Sequence, residues 1–174
     1  MATNFKTLLN QITTFIFDVD GVLTDGSVTL FPNGEQVRKM NIKDGYALQL
    51  AVKKGYRIII ISGGKSEAVR QRLQGLGISE IHLGVNNKLE LLNDILLEKQ
   101  FTTDQTLYMG DDIPDYEVMQ KVAVAVCPAD AAPEIKSICT YISQRNGGEG
   151  AVRDVIEQTL RLQGKWFDKD GFIW

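Results

Sequence analysis

Polar residues capable of chemistry recur in this chain where apolar runs end, and two of those ends are acidic. Asp18 and Asp20 follow the stretch 13–17, within Asp18-Val19-Asp20-Gly21-Val22-Leu23-Thr24-Asp25-Gly26. Gly110, Asp111 and Asp112 follow 106–109, with Asp115 just beyond Pro114. Ser62, Gly63, Gly64 and Lys65 follow 57–61, and Lys88 stands shortly after 80–83. Carboxylates drawn together raise one another's pKa unless a cation lies among them. With oxygen ligands and no His or Cys nearby, the implied ion is Mg²⁺, which keeps several waters and takes one or two carboxylates plus a phosphate oxygen. Asp18 and Asp111 are the expected side-chain ligands, and Asp20 the donor of a backbone carbonyl. Asp112 and Asp115 are expected to stand behind them as supports.

The same residue types describe phosphoryl transfer. Once charge repulsion is reduced, the Asp18 carboxylate can attack phosphorus and form an aspartyl-phosphate. Asp20, two residues on, can protonate the leaving alkoxide and then deprotonate a water. Ser62, the Gly63 amide and the positive end of a helix starting near Ser66 can hold phosphoryl oxygens. Lys88 places a point charge where negative charge accumulates. Each piece alone has a plainer reading, as a turn, a strand-to-helix connection, a helix cap or a solvated lysine. Their shared position at apolar-run ends, in this order, carries the functional reading.

The elements that must position them alternate. Strands are expected at 13–17, 57–61, 80–83, 106–109 and 122–126, and helices at 45–54, 66–76, 88–99, 115–121 and 151–163. This predicts an α/β fold with a doubly wound parallel sheet, whose ligands bind beyond the carboxyl ends of the strands. One insertion interrupts the rhythm: 27–31 and 36–41 flank Pro32-Asn33-Gly34 and read as a β-hairpin, too short for a lid domain. The whole of 1–174 is expected to be one catalytic domain, with the hairpin at 27–41 and an aromatic tail at 164–174. That tail carries Trp166, Phe167, Phe172 and Trp174, a composition suited to packing on this subunit or a neighbour.

Composition narrows the partners. At 174 residues, 44% hydrophobic and with a net charge of −3, the chain lacks the basic block a nucleic-acid surface requires. Residues 1–11 lack the order of a signal peptide and no apolar run is long enough for a bilayer, so a cytosolic protein without membrane contact is expected. Cys127 and Cys139 form no Cys-x-x-Cys pair and read as isolated thiols. His82, the one histidine, lies inside a strand pattern and offers no base for a Ser-His-Asp triad. A phospho-accepting signalling module also gathers acids and a Lys at strand ends, but there the acceptor Asp follows the acid pair in a later strand, whereas here Asp18-x-Asp20 leads.

With Asp18-Val-Asp20-Gly-Val-Leu-Thr, Ser62-Gly63, Lys88 and Gly110-Asp111-Asp112 in place, the chain resembles the haloacid dehalogenase superfamily, in its subclass without a cap domain. The resemblance implies that Asp18 is the nucleophile and Asp20 the acid/base. Asn41-Ile42-Lys43-Asp44-Gly45-Tyr46, the short hairpin and Gly147-Gly148-Glu149-Gly150-Ala151-Val152-Arg153 resemble the 3-deoxy-D-manno-octulosonate 8-phosphate phosphatases. That likeness implies a lipopolysaccharide-precursor enzyme of the cytoplasm, a homotetramer with sites completed by adjacent subunits. It also implies that Asn41, Ile42, Lys43, Asp44, Gly45, Gly63, Gly64, Lys65 and Arg72 contact the substrate, beside Asp20 and Lys88. Where many members carry Arg this chain has Gly64, with Lys65 next, and Glu149 also stands where Arg is common. Phosphatases for a nine-carbon, sialic-acid-type 9-phosphate and broad-range sugar phosphatases share the fold and motifs.

Overall fold

The computed structural model describes residues 4–99 and 101–173. In chain order the elements are α1 (Phe5–Leu9), β1 (Thr14–Phe17), β2 (Thr29–Leu30), β3 (Gln36–Val37), α2 (Ile42–Lys53), β4 (Arg57–Ser62), α3 (Glu67–Gly75) and β5 (Glu80–Leu83). Then come α4 (Lys88–Lys99), β6 (Thr106–Met109), α5 (Tyr116–Met119), β7 (Val124–Cys127), α6 (Pro133–Ile138), β8 (Tyr141–Ile142) and α7 (Ala151–Leu162). Six strands form one parallel sheet in the order β5-β4-β1-β6-β7-β8. β1 is central, with Phe17 opposite Ile60 on one side and Met109 on the other. The chain leaves β1 for β4 and β5, then returns to the other side for β6. The crevice beyond the carboxyl end of β1 is therefore the switch point where ligands of such sheets bind.

The strands are buried on both faces because their alternating residues serve two cores. Phe15, Phe17, Ile58 and Ile60 join one core with residues of α1, α2, α3 and α7, including Leu9, Leu48, Leu73 and Ile156. Ile16, Ile59 and Ile61 join the other, with Leu92 and Ile95 of α4, Val118 of α5 and Ile135 of α6. Cys127 and Cys139 belong to this second core as free thiols. No helix of the described residues is long and apolar enough to cross a membrane.

The structure departs from the sequence reading in short elements. α1, α6 and β8 lie outside the expected set; five, six and two residues long, they offer too little periodicity to read. α2 starts at Ile42 rather than 45, because the Asn41 side chain caps it, accepting the Lys43 amide at 2.8 Å. The expected helix 115–121 is a 3₁₀ turn, Ile113–Asp115, followed by the single turn of α5. Pro114 stands at the start of that turn, and the Asp112 side chain accepts the Ile113 amide at 2.8 Å.

The insertion is a two-stranded antiparallel ribbon, β2 with β3, standing apart from the main sheet. Leu30, Phe31 and Val37 on it are exposed. The C-terminal tail folds onto α2 of its own chain. Trp166 is buried edge-on to Tyr46, Lys54 Nζ reaches Asp168 at 2.5 Å and Asp170 at 2.7 Å, and the Tyr46 hydroxyl donates to the Gly171 carbonyl. Trp174, residues 1–3 of the N-terminal segment and Gln100 lie outside the described residues.

Candidate active site

Three strand ends converge at the switch point. Asp18 directly extends β1, its amide donating to the Met109 carbonyl at 3.1 Å, so its side chain is fixed by the sheet itself. Lys88, the first residue of α4, is buried and reaches Asp18 Oδ2 at 2.9 Å and Asp115 Oδ1 at 2.6 Å. Asp115 is fully enclosed; the Tyr108 hydroxyl also donates to its Oδ1, at 2.7 Å, and the Asp111 amide approaches Oδ2 at 3.3 Å. Asp18, Asp111 and Asp115 bring carboxylate oxygens within 4.8 Å of one another.

This assembly is short of positive charge. Burial first, then Asp115, lifts the Asp18 carboxyl to about 7, with Lys88 opposing. Burial first, then Asp18 and Asp115, lifts Asp111 to about 7 as well. Burial alone would lower Lys88, but Asp115 and Asp18 outweigh it and hold the ammonium above its ordinary value. With all groups charged, three carboxylates against one ammonium leave two negative charges, the charge a divalent cation carries. Asp115 Oδ1 already accepts two bonds, which leaves Asp18 and Asp111 as the side chains best placed to hold such an ion.

Close backbone approach makes room for the Asp111 carboxylate. Gly21 has φ of 78°, and a Cβ there would lie 2.0 Å from Asp111 Oδ2. Glycine is required on both counts. A second loop braces this turn: the Gly148 amide donates to the Val22 carbonyl at 2.9 Å, and Asn41 Nδ2 donates to the Gly148 carbonyl at 3.2 Å.

Ser62, at the end of β4, is buried, and its hydroxyl accepts the Gly64 amide at 3.1 Å. Ser62, Gly64, Asp20 and Arg38 line one small cleft. Arg38 is a site residue that the sequence reading missed. It follows β3 and grips Asp20 through Nε at 2.6 Å and Nη2 at 3.1 Å. Nothing near Arg38 in sequence signals this, because the contact spans the ribbon's return to the sheet edge. Tyr108 was missed too; inside a strand it reads as core, and only the fold shows its hydroxyl meeting Asp115.

The expected substrate residues fall into two groups. Gly63, Gly64, Lys65 and Arg72 line a cavity of about 890 Å³ together with Arg38. Asn41 and Lys43 line a separate groove along α7, and Ile42 is exposed. Gly45 faces Arg72, whose Nη2 is 2.7 Å from where a Cβ on Gly45 would sit. Asp44 is buried and accepts the Arg153 amide at 2.7 Å, serving the amino end of α7. Burial lifts its carboxyl to about 6 against the Arg153 and Gly150 amides. Asp112 is exposed and occupied in capping.

The family model of haloacid dehalogenase-like hydrolases matches residues 80–156. Over 171 residues the chain is 36% identical to 3-deoxy-D-manno-octulosonate 8-phosphate phosphatase KdsC of Salmonella typhi, covering 98% of this chain and 91% of that one. The crystal structure of the corresponding phosphatase from Yersinia pestis superposes with a TM-score of 0.90 at 32% identity, over 95% of this chain and 89% of that one. The Moraxella catarrhalis phosphatase, in complex with a magnesium ion, a phosphate ion and a KDO molecule, superposes at 0.89 with 29% identity, over 94% of each chain. The acid cluster at the switch point thus sits in a fold and a sequence shared along nearly the whole length, and the chain belongs to the 3-deoxy-D-manno-octulosonate 8-phosphate phosphatase family of haloacid dehalogenase-like hydrolases.

Proposed function

We propose that this chain hydrolyses 3-deoxy-D-manno-octulosonate 8-phosphate to the free sugar acid and phosphate. The observation that carries the reading is the contact of Asp18 with Lys88, 2.9 Å apart beside Asp111 at the carboxyl end of β1. Asp18 attacks phosphorus as the ester bond breaks, and Asp20 delivers a proton to the departing sugar oxygen. Asp20 then takes a proton from a water that attacks the aspartyl-phosphate, releasing phosphate and restoring Asp18. Ser62 and the Gly63 amide hold phosphoryl oxygens, while Lys88 offsets the charge that gathers on them.

Asp18, Asp111 and the Asp20 carbonyl would hold Mg²⁺, and the charge deficit of the cluster fits that ion. Bound there, Mg²⁺ supplies electrostatic stabilisation to the transferring phosphoryl group. By family likeness the enzyme works in the cytosol, in lipopolysaccharide precursor synthesis, as a homotetramer whose sites are completed by neighbours. The exposed Leu30, Phe31 and Val37 of the ribbon suit such an assembly.

Phosphate release measured with Mg²⁺ on the eight-carbon 8-phosphate, a nine-carbon 9-phosphate and a simple sugar phosphate tests the reading. It holds if kcat/KM is highest for the eight-carbon ester and is rejected if that ester is the poorest of the three. Sedimentation at assay concentration tests the assembly, which an active monomer would refute.

A further inference from the structure

The cavity of about 890 Å³ beside the small cleft is lined by three cations, Arg38, Lys65 and Arg72, and two acids, Glu35 and Glu67, and one of the cations belongs to both spaces. Arg38 lines the cavity with Lys65 and Arg72, and it lines the cleft with Asp20, Ser62 and Gly64. We propose that Arg38 is the specificity residue of this enzyme, the guanidinium that receives the carboxylate of the sugar acid whose phosphate is held at Asp18. This rests on the sugar-acid phosphatase reading above.

The substrate is an anion at both ends. Its phosphate belongs with Asp18, Ser62 and Lys88, so its carboxylate must find a cation in the space the sugar reaches past Asp20. Arg38 stands where the cleft at Asp20 meets the cavity. Its side chain is only 9% exposed, held by the two-point contact with Asp20. That contact uses two of the five N–H donors of a guanidinium. The remaining donors have no partner among the described residues, and no Arg38 nitrogen is among the buried side-chain atoms left unpaired. They therefore open toward solvent-filled space. A fork fixed at one edge and free at the other is suited to a planar carboxylate.

Gly64 leaves the flank of the fork uncrowded. A Cβ at position 64 would lie 3.2 Å from Asp20 Oδ2 and 3.5 Å from Arg38 Nη2. A side chain at 64 would begin tight against the Asp20 carboxylate and in van der Waals contact with the guanidinium. This chain leaves that position bare and delivers the cation from the ribbon instead of from the turn after β4. The other two cations are less suited. Lys65 is a point charge whose stem lies over Gly84, its Cε 2.9 Å from where a Cβ there would be, and Arg72 is packed against Gly45 of α2.

The test compares inhibition by the two halves of the product. With the full-length protein and Mg²⁺, the inhibition constants of the free eight-carbon sugar acid, a free nine-carbon sugar acid and inorganic phosphate are measured for the wild type, Arg38→Met and Arg38→Lys. Arg38→Met should weaken the sugar acid about 10- to 100-fold, and at least about tenfold more than it weakens phosphate. Arg38→Lys, which keeps the charge and loses the fork, should recover only part of the difference. Equal weakening of acid and phosphate, or of neither, overturns the proposal, as does a wild type indifferent to both acids. A wild type that binds and hydrolyses only the nine-carbon series rejects the eight-carbon reading, and the same ratio taken on the nine-carbon acid then decides Arg38. Thermal melting of each variant shows that it folds, and Arg38→Lys stands in should Arg38→Met not.

Discussion

Lys88 Nζ lies 2.9 Å from Asp18 Oδ2, yet it lies closer, at 2.6 Å, to Asp115 Oδ1. The buried ammonium at the switch point is thus shared, and its closer partner is the more deeply enclosed acid. Asp115, which also accepts the Tyr108 hydroxyl, holds Lys88 at the first turn of α4. Asp18 is left incompletely neutralised, which is the state in which a carboxylate both attracts a cation and remains a nucleophile.

Asp18→Asn should lower phosphate release by at least about 10³-fold, because the covalent step is lost. Asp20→Asn should lower it by about 10²- to 10⁴-fold while Mg²⁺ still raises the melting temperature, since the contribution proposed for Asp20 at the ion is its backbone carbonyl. Steady-state assays with melting curves separate the two. Unchanged turnover in either variant excludes the role assigned to it.

Stability should depend on Mg²⁺ in a pH-dependent way. Without metal, Asp18 and Asp111 titrate near 7 instead of 3.8, so the folded protein holds extra protons between about pH 4 and 7 and loses stability as pH rises through that window. A cation held there would favour the ionised forms and offset the loss. Saturating Mg²⁺ should therefore raise the melting temperature by about 5 to 10 °C at pH 8 and by much less at pH 5. An equal gain at both pH values would contradict this cluster as the binding site.

Two glycines with similar positive φ should respond differently to alanine. Gly21 and Gly34 have φ of 78° and 84°, but a Cβ on Gly21 meets Asp111 Oδ2 at 2.0 Å while one on Gly34 meets nothing within 4 Å. Gly34→Ala should cost about 1 to 2 kcal/mol through backbone strain alone. Gly21→Ala should add a loss of activity of about 100-fold and weaker Mg²⁺ binding, by displacing the Asp111 carboxylate. Similar activity in the two variants would show that the close approach is unimportant.

Asp44 offers a stability test away from the chemistry. Burial raises its carboxyl to about 6, so ionisation costs the folded state on the order of 2 to 3 kcal/mol as pH rises from about 4 to 6. Asp44→Asn keeps an acceptor for the Arg153 amide and removes the titration, so it should flatten denaturant-measured stability across that range. Asp44→Ala removes the acceptor and should be less stable than Asp44→Asn at every pH. A wild-type profile that is flat between pH 4 and 6 would rule this out.

The central strands were legible because β-branched and aromatic runs such as Arg57-Ile58-Ile59-Ile60-Ile61 serve two cores at once, and composition alone marks that. The polar residues closing these runs were legible for the same reason: Asp18 and Ser62 follow directly where the apolar requirement stops, and Asp111 follows after Gly110. α1, α6 and β8 were not, since one or two turns or a two-residue edge strand leave too few positions to show a period. The path of the tail back to Tyr46 and Lys54 was open between this subunit and a neighbour, and the packing of Trp166 decided it within the chain.

The sequence by itself determined which side chains are present at the strand ends, and hence the kind of chemistry, because strands alternating with helices run parallel and bring those ends to one edge. Which atoms touch was decided only by the tertiary structure. The sharing of Lys88 between Asp18 and Asp115, the Tyr108 bond, the turning of Asp44 toward α7 and the grip of Arg38 on Asp20 all join residues whose separation along the chain carries no periodic signal. Such contacts depend on where backbones cross and on the space a glycine leaves, and those are properties of the packed chain.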